Sequence, residues 1–128
     1  MKKSIGVATL VGVICLALTP IAPAYAANWV YVAKNTNGAV FYYDSDTIRR
    51  SGNQVTVWEK RDSSLDKTAQ ERERKVRYRY DCAERTGTAL QTTVYYRDGK
   101  VETVRWEAYQ QKELAVTPDT MQEAMLKA

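Results

Sequence analysis

The stretch at residues 71–82, reading ERERKVRYRYDC, constrains the fold more than any other. From Val76 on it alternates strictly, with Val76, Tyr78, Tyr80 and Cys82 on one side and Lys75, Arg77, Arg79 and Asp81 on the other. A period of two is that of a β-strand with one buried and one solvated face. The flanking chain carries further runs of the same kind. This stretch is therefore expected to be a central strand whose basic face meets solvent.

The remaining strands follow from composition and turn chemistry. Residues 28–34 (NWVYVAK) and 39–43 (AVFYY) are rich in aromatic and β-branched side chains and flank Asn35-Thr36-Asn37-Gly38, a turn. Residues 44–48 read as one helical turn capped by Ser45 or Asp46. After a turn at 51–53 comes a third strand at 54–60 (QVTVWEK), then a polar segment at 61–72 without either period, expected as a loop. Beyond the central strand, runs at 89–96 and 100–106 flank Asp98-Gly99. A two-residue Asp-Gly hairpin sets Tyr96 opposite Val101 and Val94 opposite Thr103. Residues 107–116 form a connector. At the end, Thr117 caps a helix, Pro118 opens it, Asp119 favours its positive end, and Met121, Ala124, Met125 and Ala128 share one stripe.

These elements make an α+β fold: about six antiparallel strands in one curved sheet, with a C-terminal helix packed on one face. Six strands at ~4.8 Å spacing span roughly 25 Å, whereas a helix with its side chains is about 10 Å across. One helix leaves part of the sheet bare, yet several strands carry large residues on both faces, as with Trp29 and Tyr31 against Val30 and Val32. Curling, long loops or a partner, including a second copy pairing as a homodimer through the uncovered face, would each complete the burial.

The N-terminus reads as an export signal. Lys2 and Lys3 precede an apolar run at 5–18, and Ala24-Tyr25-Ala26 offers a small-x-small cleavage site. Cleavage is placed between Ala26 and Ala27, giving a signal peptide at 1–26 and a domain at 27–128. The run is shorter than the ~20 residues of a membrane span, and Pro20 and Pro23 break it, so no stable span is expected. Ile14 before Cys15 does not suit lipidation.

Removing 26 of the 128 residues leaves 102; with Lys2 and Lys3 gone, 17 cationic residues face 15 acidic ones, a net charge of +2 in place of +4. That charge argues against nucleic acid as a partner. The chain contains no histidine, which removes Ser-His-Asp and Cys-His catalysis and the commonest zinc and haem ligand. No enzyme activity, metal or cofactor is expected. Cys82 is the cysteine left after cleavage, and an odd cysteine in an exported chain invites a partner.

Asp44 and Asp46 form a carboxylate pair, but Asp at such positions starts and caps turns. Glu71 and Glu73 among arginines read as a solvated face with ion pairs. Tyr78 and Tyr80, on the apolar side of the strand, read as core rather than haem ligands. Met121 and Met125 fill a helix stripe more readily than they bind a soft metal. The residues left as a ligand-binding stripe are Lys75, Arg77 and Arg79, with ~7 Å between neighbours on one face, a spacing suited to sulfated glycans or acidic proteins.

The order Trp29-Val30, then YYDSDTIRRSGNQVTVW at 42–58, then Tyr80-Asp81-Cys82, then a Pro-led terminal helix resembles the surface-adhesin protein E-like family. These are small exported domains of Gram-negative bacteria, which implies a periplasmic or outer-membrane-surface location. The resemblance implies an antiparallel sheet with the helix on its concave side, and binding of host extracellular-matrix proteins. The alternative is a periplasmic accessory protein acting through self-association or an envelope partner. Members carry a second cysteine just after the helix, paired to the one matching Cys82. Here Lys127-Ala128 stands where that cysteine would follow, so Cys82 is either unpaired or has its partner just beyond Ala128.

Overall fold

Alternating β-branched and aromatic residues dominate the chain, and they pair into one open, curved antiparallel sheet in this computed structural model, which describes residues 27–118 and 121–127. The strands are β1 (Trp29–Lys34), β2 (Val40–Asp44), β3 (Arg49–Ser51), β4 (Gln54–Asp62), β5 (Glu71–Asp81), β6 (Thr86–Tyr96), β7 (Val101–Arg105) and β8 (Leu114–Ala115). Short 3₁₀ turns occupy Ser45–Thr47 and Ala108–Gln110, and a single described α-helix, α1 (Met121–Lys127), follows. The sheet order is β1-β2-β4-β5-β6-β7, with β3 added to β4 and β8 to β6. The signal segment at 1–26 and the side chain of Met121 lie outside the described residues, as do Asp119 and Ala128. So does the stretch at 119–120 through which the expected cap at Thr117 and Pro118 would enter the helix.

The expected central strand is central, and the six long strands are in place, with β3 and β8 as additions. Two boundaries differ. The polar segment at 61–72 is partly strand, because β4 runs on to Asp62 and β5 starts at Glu71. The 3₁₀ turn is capped by Asp44 rather than Ser45 or Asp46: its Oδ1 accepts from the Asp46 amide at 3.1 Å and from the Asn28 amide at 3.0 Å. That buried carboxylate ties the end of β2 to the start of β1.

The last hairpin is shifted by one residue from the expected register. Tyr95, not Tyr96, faces Val101, and Val94 faces Glu102. The Tyr96 amide bonds to the Lys100 carbonyl at 2.9 Å, so the loop is Arg97-Asp98-Gly99 rather than Asp98-Gly99 alone. Gly99 takes φ +91°, the left-handed position that closes a three-residue hairpin loop.

Strand parity sorts the side chains into two faces. On one, Val57 and Tyr80 form the core with Val116 and Met125, and Val32, Phe41, Tyr43, Ile48, Tyr78 and Leu126 pack around them. Helix α1 lies on this face. Glu123 fastens it, accepting from Arg85 Nη2 at 2.9 Å and from Lys127 Nζ at 3.3 Å. Cys82, a free and exposed thiol, borders a small cavity here with Met125 and Leu126.

One end of the sheet is closed by a clasp. The Arg97 guanidinium donates to the carbonyls of Ser63, Asp66 and Ala69 at 2.8, 2.8 and 3.0 Å. Gly38, at φ +98°, brings the β1–β2 turn against the same loop, where a Cβ would stand 3.2 Å from the Leu65 carbonyl oxygen. Charge-assisted bonds of this kind are each worth ~1.5–3 kcal/mol and are not additive. Arg97→Ala should therefore lower unfolding free energy by about 2 kcal/mol and speed amide exchange at Asp66 and Ala69. Unchanged exchange at both amides would show that the loop holds its shape without the clasp.

Candidate functional site

The face opposite α1 is built from the even positions of β4 and the odd positions of β5. Cross-strand pairing sets Trp58 against Arg77 and Lys60 against Lys75. From β5 the rows continue onto β6, with Arg77 opposite Gln91 and Lys75 opposite Thr93. On the other side, Lys60 meets Tyr42, and Tyr42 meets Tyr31. The result is a groove of about 610 Å³ whose walls include Trp29, Trp58, Tyr95, Lys75, Arg77 and Arg49.

Cations and rings are interleaved across this face. Lys60 Nζ stands 4.7 Å from the centroids of both Trp29 and Tyr42. Lys75 Nζ is 5.2 Å from the Tyr95 ring and 5.9 Å from Trp29. Such contacts contribute ~0.5–1 kcal/mol each at exposed sites. They let aromatic rings remain on an open sheet face, since a ring that carries an ammonium group is less bare to water. Arg77 is different. It is exposed and makes no ion pair or hydrogen bond among the described side chains, and the Trp58 indole beside it makes no ring contact among them.

Of the stripe expected from sequence, the groove gathers Lys75 and Arg77 but not Arg79. Arg79 Nη2 donates to Gln111 Oε1 at 3.3 Å, which turns it toward the connector after β7. Lys75 also pairs with Glu73 at 3.8 Å, and Arg74 with Glu71 at 2.7 Å. A bulge between Glu71 and Glu73 lets residues of unlike parity meet.

Asp44 also lines the groove, as do Trp58, Trp29, Tyr95 and Arg49, which were not singled out by sequence as site residues. A local signal for one of them was present. In QVTVWEK the apolar positions are Val55 and Val57, so the next of that parity should be apolar, and Gln54 and Thr56 should be followed by a polar residue. Instead Trp58 sits on the polar side and Glu59 on the apolar side. Breaks in an otherwise consistent pattern tend to mark functional or strained positions.

Glu59 is the counterpart on the covered face. It is 8% exposed, borders cavities of about 80 and 200 Å³ with Met125, and accepts a hydrogen bond from the Tyr80 hydroxyl. Burial pushes its carboxyl up to about 8, against the Tyr80 hydrogen bond, which favours the charged form. Burial also raises the Tyr78 hydroxyl, and Glu59 adds to that rise. Tyr78 and Tyr80 stack at 5.5 Å as core residues beneath the helix. Among the described residues no cluster of acidic or cysteine side chains could hold a metal ion, and no helix is long and apolar enough to cross a membrane.

A family model described as surface-adhesin protein E matches residues 29–128. The fold is similar to that of crystal form II of Haemophilus influenzae protein E, with 20% identity over 84% of this chain and 91% of that chain and a TM-score of 0.54. A second structure of Haemophilus influenzae protein E shares 18% identity over 86% of this chain and 88% of that chain, with a TM-score of 0.52. No curated protein matches. Similarity at this level carries the fold, while the groove rests on its own geometry.

The buried acid makes a pH test possible. The folded chain keeps a proton on Glu59 that the unfolded chain releases above its ordinary value of 4.5. This group's contribution to stability is therefore fully present below that value and is lost as pH rises through about 8. At ~1.4 kcal/mol per pH unit the loss reaches a few kcal/mol. Denaturant midpoints followed across this window should fall with pH in the native chain and fall less in Glu59→Gln. Equal slopes in the two proteins would mean that Glu59 is not the group that titrates.

Proposed function

The chain belongs to the surface-adhesin protein E family, and from that premise we propose that it is an exported, non-enzymatic binding module holding an extracellular or envelope ligand on its open sheet face. The observation that carries this reading is the groove between Trp58 and Arg77. A recess of several hundred Å³, lined by rings and a small number of directed polar groups, is the usual form of a binding site. Here the rings are Trp29, Trp58 and Tyr95, and the directed groups are Lys75, Arg77 and Arg49. On the other face the cavities under α1 are smaller, their carboxylate is engaged by Tyr80, and a recess of about 380 Å³ beside Tyr78 and Trp106 carries a single charged lining residue, Lys112.

Components of the host extracellular matrix or cell surface are the ligands this reading favours, with the protein exposed at the outer surface. In the alternative, the same face docks onto a second copy or an envelope protein inside the periplasm. Purified chain should bind immobilised extracellular-matrix extract saturably, and Lys75→Glu with Arg77→Glu should weaken that binding by about tenfold or more, as expected when charge-assisted contacts are reversed. Protease added to intact cells should cleave the protein. Matrix binding indifferent to both substitutions would contradict the reading. Protection on intact cells, with a dimer in sedimentation that the same substitutions dissolve, would establish the periplasmic alternative instead.

A further inference from the structure

The groove lies in the interior of the sheet, which narrows what it can hold. Strands β5 and β6 are paired on both sides where they line it. At Trp58, in the gap between the β2 and β3 ladders on β4, the amide donates to Thr47 Oγ1 at 3.1 Å, so no strand edge of these three is open in the groove. A peptide cannot add to them as a further strand, and recognition falls to side chains alone. Those side chains offer chiefly flat apolar surface and positive charge; the one carboxylate in the lining, Asp44, is buried and accepts from the amides of Asn28 and Asp46. A ligand must present faces and anions together.

The two offers are not equivalent everywhere in the groove. Trp29 already carries Lys60 and Lys75 near its ring, so a flat ligand would have to displace an ammonium group there. Trp58 has no such neighbour among the described residues. Directly across the strand from it stands Arg77, exposed and without an anionic partner among the described residues. Lys75 follows two residues away on the same face, ~7 Å along the strand. Thr93 and Thr47 add hydroxyls to the wall. A stacking surface, an adjoining guanidinium, a second cation one step along and neutral hydroxyls between them match a sugar ring bearing acidic groups.

Resting on the reading of the open face as the binding surface, we propose that the groove takes an acidic oligosaccharide, with a pyranose ring on Trp58 and its sulfate or carboxylate groups on Arg77 and Lys75. The apolar C–H face of a pyranose covers an indole without needing a second ring on the far side. The planar guanidinium of Arg77 receives two oxygens of one anion at once, which a lysine at that position would not do. Lys75, a compact charge already resting near Tyr95, serves the neighbouring anion. Neutral sugars would leave Arg77 unpaired, and anions without a ring would leave Trp58 bare.

Three probes separate the possibilities: a heparin-derived hexasaccharide with sulfates, a hyaluronan hexasaccharide with carboxylates alone, and neutral maltohexaose. Titrated against the full chain and followed by tryptophan fluorescence, at least one acidic probe should bind saturably and maltohexaose should not; which acidic probe binds assigns the anion. Trp58→Ala and Arg77→Ala should each weaken that binding about tenfold or more, and only Arg77→Ala should flatten its salt dependence. Arg50→Ala, on β3 beside the cavity under α1, should leave it unchanged. Arg77 is exposed, so its variant carries the test if Trp58→Ala fails to fold. Equal weakening by Arg50→Ala, a silent Arg77→Ala, or binding of maltohexaose as tight as that of the acidic probes would overturn the proposal. Matrix binding that depends on Lys75 and Arg77 yet survives prior digestion of matrix glycans by heparin and hyaluronan lyases would overturn the sugar and leave the open-face reading standing.

Discussion

One short helix cannot cover this sheet, and the rest of the structure answers that mismatch. Helix α1 has seven described residues, about 10 Å of rise, laid on a sheet whose main path runs through six strands. It shelters one patch, where Val57, Tyr80, Val116 and Met125 exclude water. The opposite face keeps its rings by another means. Lys60 and Lys75 lie against Trp29, Tyr42 and Tyr95, so charge and aromatic surface shield one another without a second layer of structure. The apolar core and the proposed binding surface thus sit on different faces, and substitutions on one need not disturb the other.

The two faces meet at Trp58 and Glu59. These neighbours break the alternation of β4 in opposite senses, sending a large ring outward and a carboxyl inward. Each break has a cost. Glu59 stays protonated in the fold near neutral pH and uses Tyr80 as its donor, because an ionised carboxylate beneath the helix would lack compensation. Trp58 leaves apolar surface beside Arg77, which has no anionic partner among the described residues. A strand shaped by stability alone would reverse the pair.

Much of the fold was legible because alternation is a local property. Residues 76–82 show it within a few positions, and the turns at Asn37-Gly38 and Asp98-Gly99 punctuate it. The family was legible as well, from an ordered set of short segments rather than from one motif. Strands of three and two residues, β3 and β8, are too short to show a period and exist through their partners β4 and β6. The last hairpin slipped by one because Arg97 belongs to the turn, where its side chain holds the carbonyls of a distant loop. The groove was half legible. Lys75 and Arg77 follow from parity within one strand, whereas Trp29, Tyr95 and Arg49 join them through the register of strands far apart in sequence. Arg79 has the right parity, yet Gln111 draws it away, a contact that strand parity does not encode.

If the open face is the binding surface, ligand meets Trp58 and its neighbours and leaves the helix-covered face alone. Three tryptophans report on this directly: Trp29 and Trp58 line the groove, and Trp106 lies on the connector outside it. In a nitrogen–proton correlation spectrum each indole N–H gives its own resonance. On titration with ligand, the Trp58 indole signal should shift most, Trp29 should follow, and Trp106 and the amides of Glu59, Tyr80 and Met125 should stay in place. Shifts concentrated on Tyr80 and Met125 with a stationary Trp58 indole would move the site beneath the helix and contradict the account.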